Sequence, residues 1–259
     1  MTDHPVSDIP PPPIRPPDLA AMTPEAMRAQ LAHSPEAAAA LLRAGAQAGL
    51  ADAQALYGQV LLDGNGVKSD PVEALRWFLR AAHAGHPMAM NMAGRCYDKG
   101  WGAPVDKVAA AQWFKAATKA GLDWGMYNYA SALGLGAGVA QDEPAALRWF
   151  ETAAALGHAK SINFVGAFFE EGRIVPRDLA KARDCYQQAA EGGDFRGQFN
   201  LARLLADAGQ MEEALDWLAR ATAIAPASFQ AIMLRYLDAS PRPALRQAAD
   251  SLRAAQPDL

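Results

Sequence analysis

Glycine recurs on a fixed ruler in this chain. Gly49, Gly85, Gly121, Gly157 and Gly193 stand 36 residues apart, and Gly64, Gly100, Gly136 and Gly172 keep the same step. Asp70, Asp106, Asp142 and Asp178 form a third column at that period, and Trp77, Trp113 and Trp149 a fourth, where the next position is Cys185. A period of this size means one supersecondary unit stacked on itself, because a single unit of that length cannot bury its apolar face alone.

The columns specify what the unit is. An aspartate at an N-cap accepts from the first free amides of a helix and suits its positive end. Pro71 after Asp70 fits the first helical position, and Glu73 completes a capping box. Glycine just past a helix end takes the left-handed conformation that satisfies the last carbonyls. One glycine column therefore closes one helix and the other column closes its partner, so each unit reads as two antiparallel helices. In the first unit these are expected at about 51–62 and 71–84, joined by DGNGVKSD. Ala74, Trp77, Phe78, Ala81 and Ala82 fall on one stripe of the second helix, and the word ALRWF recurs at 146–150 with AAQWF at 110–114. That stripe is the expected packing seam.

The ends differ from the middle. Residues 34–49, SPEAAAALLRAGAQAG, keep the register with Leu41-Leu42 in place of Trp-Phe, and a short helix is expected from Thr23-Pro24. Downstream, GQMEEALDWLARATAIAP (209–226) shortens the loop so that Trp217 arrives four residues early. An amphipathic stripe of Phe229, Ile232, Met233, Tyr236 and Leu237 and a last helix at 244–255 should seal the end. The expected organisation is a Pro-rich, disordered tail over 1–22, N-terminal capping helices over 23–48, five repeats over 49–221 and C-terminal capping helices over 222–259.

The pattern A-x-x-G-x-x-x-A…G-x-G-V-x-x-D-x-x-x-A-x-x-W-F-x-x-A-A resembles the Sel1-like repeat, a relative of the tetratricopeptide repeat, with DGNGVKSDPVEALRWFLRAA (63–82) nearly consensus. The fourth unit departs at Ile174 and at Cys185-Tyr186, and the fifth resembles an ordinary tetratricopeptide helix. The resemblance implies an all-α fold, a right-handed α/α superhelical solenoid with tetratricopeptide-like C-terminal capping helices. It also implies an adaptor role in holding proteins together, with no catalytic residue.

Chemistry-bearing motifs are few. The string GLGAGVA (134–140) lacks the preceding strand a phosphate cradle needs. Cys96 and Cys185 have no metal or redox spacing, and the five histidines have no metal-ligand spacing. His86 and His158 share one repeat position and are read as surface residues at helix starts. Glu170-Glu171 is read as a solvated turn. No catalytic set assembles, and neither a metal nor a cofactor is expected. A net charge of −4 argues against nucleic acid, and no apolar run approaches a membrane span. The N-terminus lacks the apolar core of a secretory signal, so a cytoplasmic, monomeric protein is expected.

What remains is the inner face lined by the first helix of each pair. If Ala53, Tyr57, Gly58 and Leu61 mark its buried columns, the columns of Asp52, Ala55, Leu56 and Gln59 are the exposed ones on that inner, concave face. Read across the units, they give the candidate contacts for a protein or peptide: Asn91, Arg95, Trp124, Tyr127, Asn128, Asn163, Arg196, Phe199, Asn200 and Arg203. Aromatic, amide and arginine side chains suit interface centres. Arg95, Arg196 and Arg203 are the expected grips for an acidic partner or one ending in a carboxylate. The competing expectations are a hydrolase, which pairs cysteines within repeats in some relatives, and a self-associating structural protein.

Overall fold

The computed structural model describes residues 32–255, together with residues 23 and 29. The expected tail and the helix from Thr23-Pro24 lie outside the described residues, apart from those two isolated positions. The described residues divide into two compact units, with the boundary between Asp106 and Lys107.

In the first unit the helices are α1 (Pro35–Gln47), α2 (Ala51–Asp63), α3 (Pro71–His83) and α4 (Pro87–Lys99). The second unit holds α5 (Lys107–Lys119), α6 (Asp123–Leu135), α7 (Glu143–Ala155), α8 (Ala159–Glu171), α9 (Leu179–Glu191), α10 (Phe195–Asp207), α11 (Met211–Ile224), α12 (Ala227–Asp238) and α13 (Pro243–Ala255). Among the described residues there is no strand. From α1 to α4 in the first unit and from α5 to α11 in the second, consecutive helices pack on one another as a stack of hairpins does, and at the C-terminal end α13 packs against both α11 and α12.

Local chemistry sets the boundaries. The side chains of Asp70, Asp142 and Asp178 accept from the amides of Glu73, Ala145 and Lys181 at 3.0, 2.8 and 3.0 Å. Ser34 does the same for Ala37, also ahead of a proline. Gly64, Gly100, Gly136 and Gly172 close α2, α4, α6 and α8 in the left-handed conformation. Each shortening of the chain between those caps would shift the next helix, so α1 to α10 share one length of 13 residues.

Packing follows from small residues placed where helices meet. Ala74, Ala81, Ala146, Ala153, Ala182 and Ala189 have no exposed surface. Gly125 and Gly197 approach Ala117 and Ala189 so closely that an added Cβ would lie 2.6 Å from the alanine Cβ in each case. In the second unit the core runs into the C-terminal helices through Leu201, Leu205, Leu218, Met233, Leu237 and Leu252. The stripe expected on α12 is rotated: Met233, Leu234 and Leu237 are buried, whereas Ile232 stays 44% exposed. Gln230 replaces it inside, donating to the Thr222 carbonyl at 2.8 Å.

Candidate protein-interaction face

The first helix of each repeat, called the A helix below, is α2 and α4 in the first unit and α6, α8 and α10 in the second. In the second unit α8 packs against both α7 and α9, and α10 against both α9 and α11. A helix gripped on two sides buries a wider arc than one amphipathic stripe, so fewer of its columns reach solvent.

The column of Ala55 is the one that turns inward. Ala55, Asn91, Asn163 and Phe199 are buried, and Tyr127 is half-buried. In the first unit Arg95 is exposed and lies over the Trp101 ring at 5.2 Å. In the second unit Trp124 is 37% exposed, while Asn128, Arg196, Asn200 and Arg203 are half-buried.

Two assemblies give the face of the second unit its character. The first is aromatic. Trp124 and Tyr127 meet the His158 ring at 4.7 and 5.1 Å, and Phe164 stacks on Phe150 at 4.7 Å with the rings nearly parallel. Lys160 sits over the outer face of this group, its Nζ 4.6 Å from the Trp124 ring centre. One repeat further on, Arg196 stacks over Phe195 at 4.4 Å and Phe229 at 5.4 Å. Trp124, Lys160 and Arg196 occupy one repeat column at the second position of α6, α8 and α10. Together they form an aromatic and basic edge.

The second assembly is polar. Glu170 accepts from the Tyr186 hydroxyl at 2.7 Å and from Arg203 Nη2 at 2.9 and 3.0 Å. Arg203 also donates to Asn200 Oδ1, and Asn200 Nδ2 donates to Asn163 Oδ1 at 2.9 Å. Burial works against the Glu170 charge, but the hydrogen bonds from Tyr186 and Arg203 and the positive charges of Arg203 and Arg177 hold its carboxyl below the usual range. Glu170 is thus no solvated turn residue, although Glu171 beside it is exposed. Its signal in the sequence is Tyr186, which stands in the phenylalanine column and brings a hydroxyl that needs a buried partner.

His158 also departs from the surface reading, being only 6% exposed. Its Nδ1 accepts from the Ser161 amide at 3.3 Å, capping α8, and lies 2.9 Å from the Ser161 hydroxyl. Burial pushes its pKa below the usual imidazole value; Asp123 raises it and Lys160 lowers it further. A depressed folded pKa means that the neutral ring stabilises the fold fully above the unfolded value, near pH 6.5, and that this is lost as pH falls through the folded value. Protonation removes the cap acceptor, a loss of about 1 kcal/mol. Urea denaturation at pH 7.5 and 5 should show a drop in stability at the lower pH. The drop should shrink in His158→Asn, which keeps a cap but does not titrate; an unchanged drop would assign it to other groups.

Among the described residues no group of three His, Cys, Asp or Glu side chains could hold a metal ion, and no helix is long and apolar enough to cross a membrane.

The Sel1 repeat pattern matches residues 51–86, 87–122, 125–158 and 159–194. Among solved structures, the chain is similar to a Sel1 repeat protein from Oxalobacter formigenes at 25% identity. That match has a TM-score of 0.67 and covers 80% of this chain and 88% of the other. It is also similar to c5321, a protective antigen of uropathogenic Escherichia coli strains displaying an SLR fold, at 23% identity and a TM-score of 0.57. There the match covers 90% of this chain and 61% of the other, so this chain spans less than two thirds of that one. No curated protein matches.

Proposed function

The chain belongs to the Sel1 repeat family, whose members generally serve protein–protein interaction, and on that premise we propose that it is a non-enzymatic adaptor. It holds a protein or peptide partner on the A-helix face of the second unit. The observation that carries this reading is the edge formed by Trp124, Lys160 and Arg196. An indole still more than a third exposed with Lys160 over its ring, beside Arg196 over Phe195, is a surface that gains from being covered. An acidic side chain or terminal carboxylate of the partner meets Lys160 and Arg196, of which Arg196 is one of the three arginines expected as grips from the sequence. Arg203 is not one of these grips, because its guanidinium is already held by Glu170 and Asn200. Its role is to fix α10 against α8. The reading is of a monomer acting in the cytoplasm, with no cofactor.

The test is quantitative pull-down from the native cell, followed by affinity measurement on each identified partner with wild type and with a Lys160→Glu/Arg196→Glu double variant. Reversing two charges at a salt-sensitive edge should weaken capture at least about tenfold, and the wild-type affinity should fall with added salt. Equal binding by both proteins would remove this edge from the interface.

A further inference from the structure

The third repeat differs from its neighbours at two successive positions near the end of its A helix. Gly134 stands where the other repeats carry Leu62, Asp98, Glu170 and Ala206, and Leu135 stands where they carry Asp63, Lys99, Glu171 and Asp207. The glycine opens space. A Cβ built on it would meet only the Ala146 Cβ, at 3.8 Å. The result is a cavity of about 420 Å³ between α6, α7 and α8, floored by Tyr127, Phe150, Phe164 and Phe168. Leu135, 80% exposed, lies at its mouth.

The mouth is charged as well as apolar. Arg173 reaches across it, pairing with Glu171 at 2.7 Å and Glu143 at 3.5 Å. Two carboxylates share one guanidinium there, leaving an excess of negative charge at the rim. Lys160 is the second residue of α8 and Glu171 the last, so the basic edge and this acidic mouth are separated by most of the helix, about 16 Å.

We infer that this cavity is an anchor subsite for a partner peptide. It takes one leucine or aromatic side chain, with a lysine or arginine next to it in the peptide meeting Glu143 and Glu171. The inference rests on the adaptor reading and deepens it by naming what the far end of the face accepts. Size permits the anchor, since a cavity of about 150 Å³ already holds a benzene ring. Charge complementarity selects its neighbour: a basic residue relieves the unpaired half of the carboxylate pair, whereas an acidic one would add a like charge at close range. An exposed leucine at the mouth then becomes part of the covered surface instead of a standing cost.

A random dodecapeptide display library selected on the wild-type protein tests it, with the enriched peptides then titrated by fluorescence anisotropy. Peptides pairing a leucine or aromatic residue with an adjacent lysine or arginine are expected. Gly134→Leu, which fills the cavity from within and improves helix propensity, should weaken them at least about tenfold. Leu135→Lys places there the residue of the second repeat, Lys99, at a site too exposed to affect folding, and should also weaken them, because it removes the apolar contact and sets a like charge beside the peptide's basic residue. Peptides that bind wild type and both variants alike, but are lost with Lys160→Glu/Arg196→Glu, would overturn the anchor and leave the adaptor reading standing. Loss in the cavity variants with binding retained by the charge-reversal variant would keep the anchor and refute the basic edge. Enrichment of acidic neighbours, or of no peptide at all, would overturn the anchor.

Discussion

Alanine at Gly138 is expected to destabilise the second unit by about 3 kcal/mol or more, whereas alanine at Gly157 should cost about 1 kcal/mol. Both glycines have positive φ, +74° and +85°. The difference lies in what surrounds them. A Cβ on Gly157 meets nothing within 4 Å, so only the backbone strain is felt. A Cβ on Gly138 would lie 1.9 Å from the carbonyl oxygen of Lys107 and 2.2 Å from its carbon, on the first turn of α5. Neither atom belongs to a flexible side chain, so the loop and α5 must separate. The same approach occurs in the first unit, where Gly66 meets Pro35 O and Gly102 meets Pro71 O at 2.1 Å each. The second loop glycine is therefore where the backbones of successive hairpins touch, and it sets their spacing. Ile174 holds this place in the fourth repeat, and among the described residues only glycines have positive φ, so that loop is built differently. Thermal and urea denaturation followed by circular dichroism rank the variants; similar losses for both would mean that the loop contact is not what spaces the repeats.

The ruler and the helix boundaries were legible in the sequence because capping is local chemistry. Asp70 finds its acceptor role three residues away, and Gly64 ends α2 by its own dihedral angles, so α2 and α3 fall within a residue of the spans expected from the columns. The face was legible only in part. Whether Asn163 or Phe199 reaches solvent depends on helices that flank α8 and α10 on both sides, and no pattern within one helix records that. The fate of Arg203 depends on Glu170, 33 residues earlier and half-buried beside Tyr186. His158 is buried because Trp124 and Tyr127, one repeat before it, lay their rings against it. Repetition fixes what every unit shares, and the site is made of what single units change: Tyr186 for phenylalanine, Gly134 and Leu135 for larger or charged residues.

The repeated tryptophan draws attention in the sequence, but the residue after it carries the seam. Phe78, Phe114 and Phe150 are 1%, 6% and 3% exposed, and Tyr186 in the same column is 1% exposed. Gly58 and Gly166 leave room for two of these rings, since a Cβ on either would come within 2.9 Å of Phe78 or Tyr186. The tryptophan column is less enclosed: Trp77 is buried, but Trp113 and Trp149 are half-buried, and Cys185 takes the place in the fourth repeat. Trp149 meets Tyr129 edge-on at 6.4 Å, whereas Phe150 stacks flat on Phe164 and lies within 6.4 Å of Tyr127 and Phe168 as well. Phe150→Ala should thus cost about 3–5 kcal/mol, as buried aromatic truncations do. Trp149→Ala, though it removes the larger side chain, should cost nearer ~2 kcal/mol, because the indole is less enclosed than the Phe150 ring. The two sites are adjacent on α7, so helix propensity and host context are shared and the ranking reads burial directly. Denaturation midpoints measured side by side check it. If the tryptophan variant proved the less stable of the two, the seam between hairpins would have to be reassigned to the indole column, and the floor of the proposed anchor cavity would lose its claim to be the rigid part of the face.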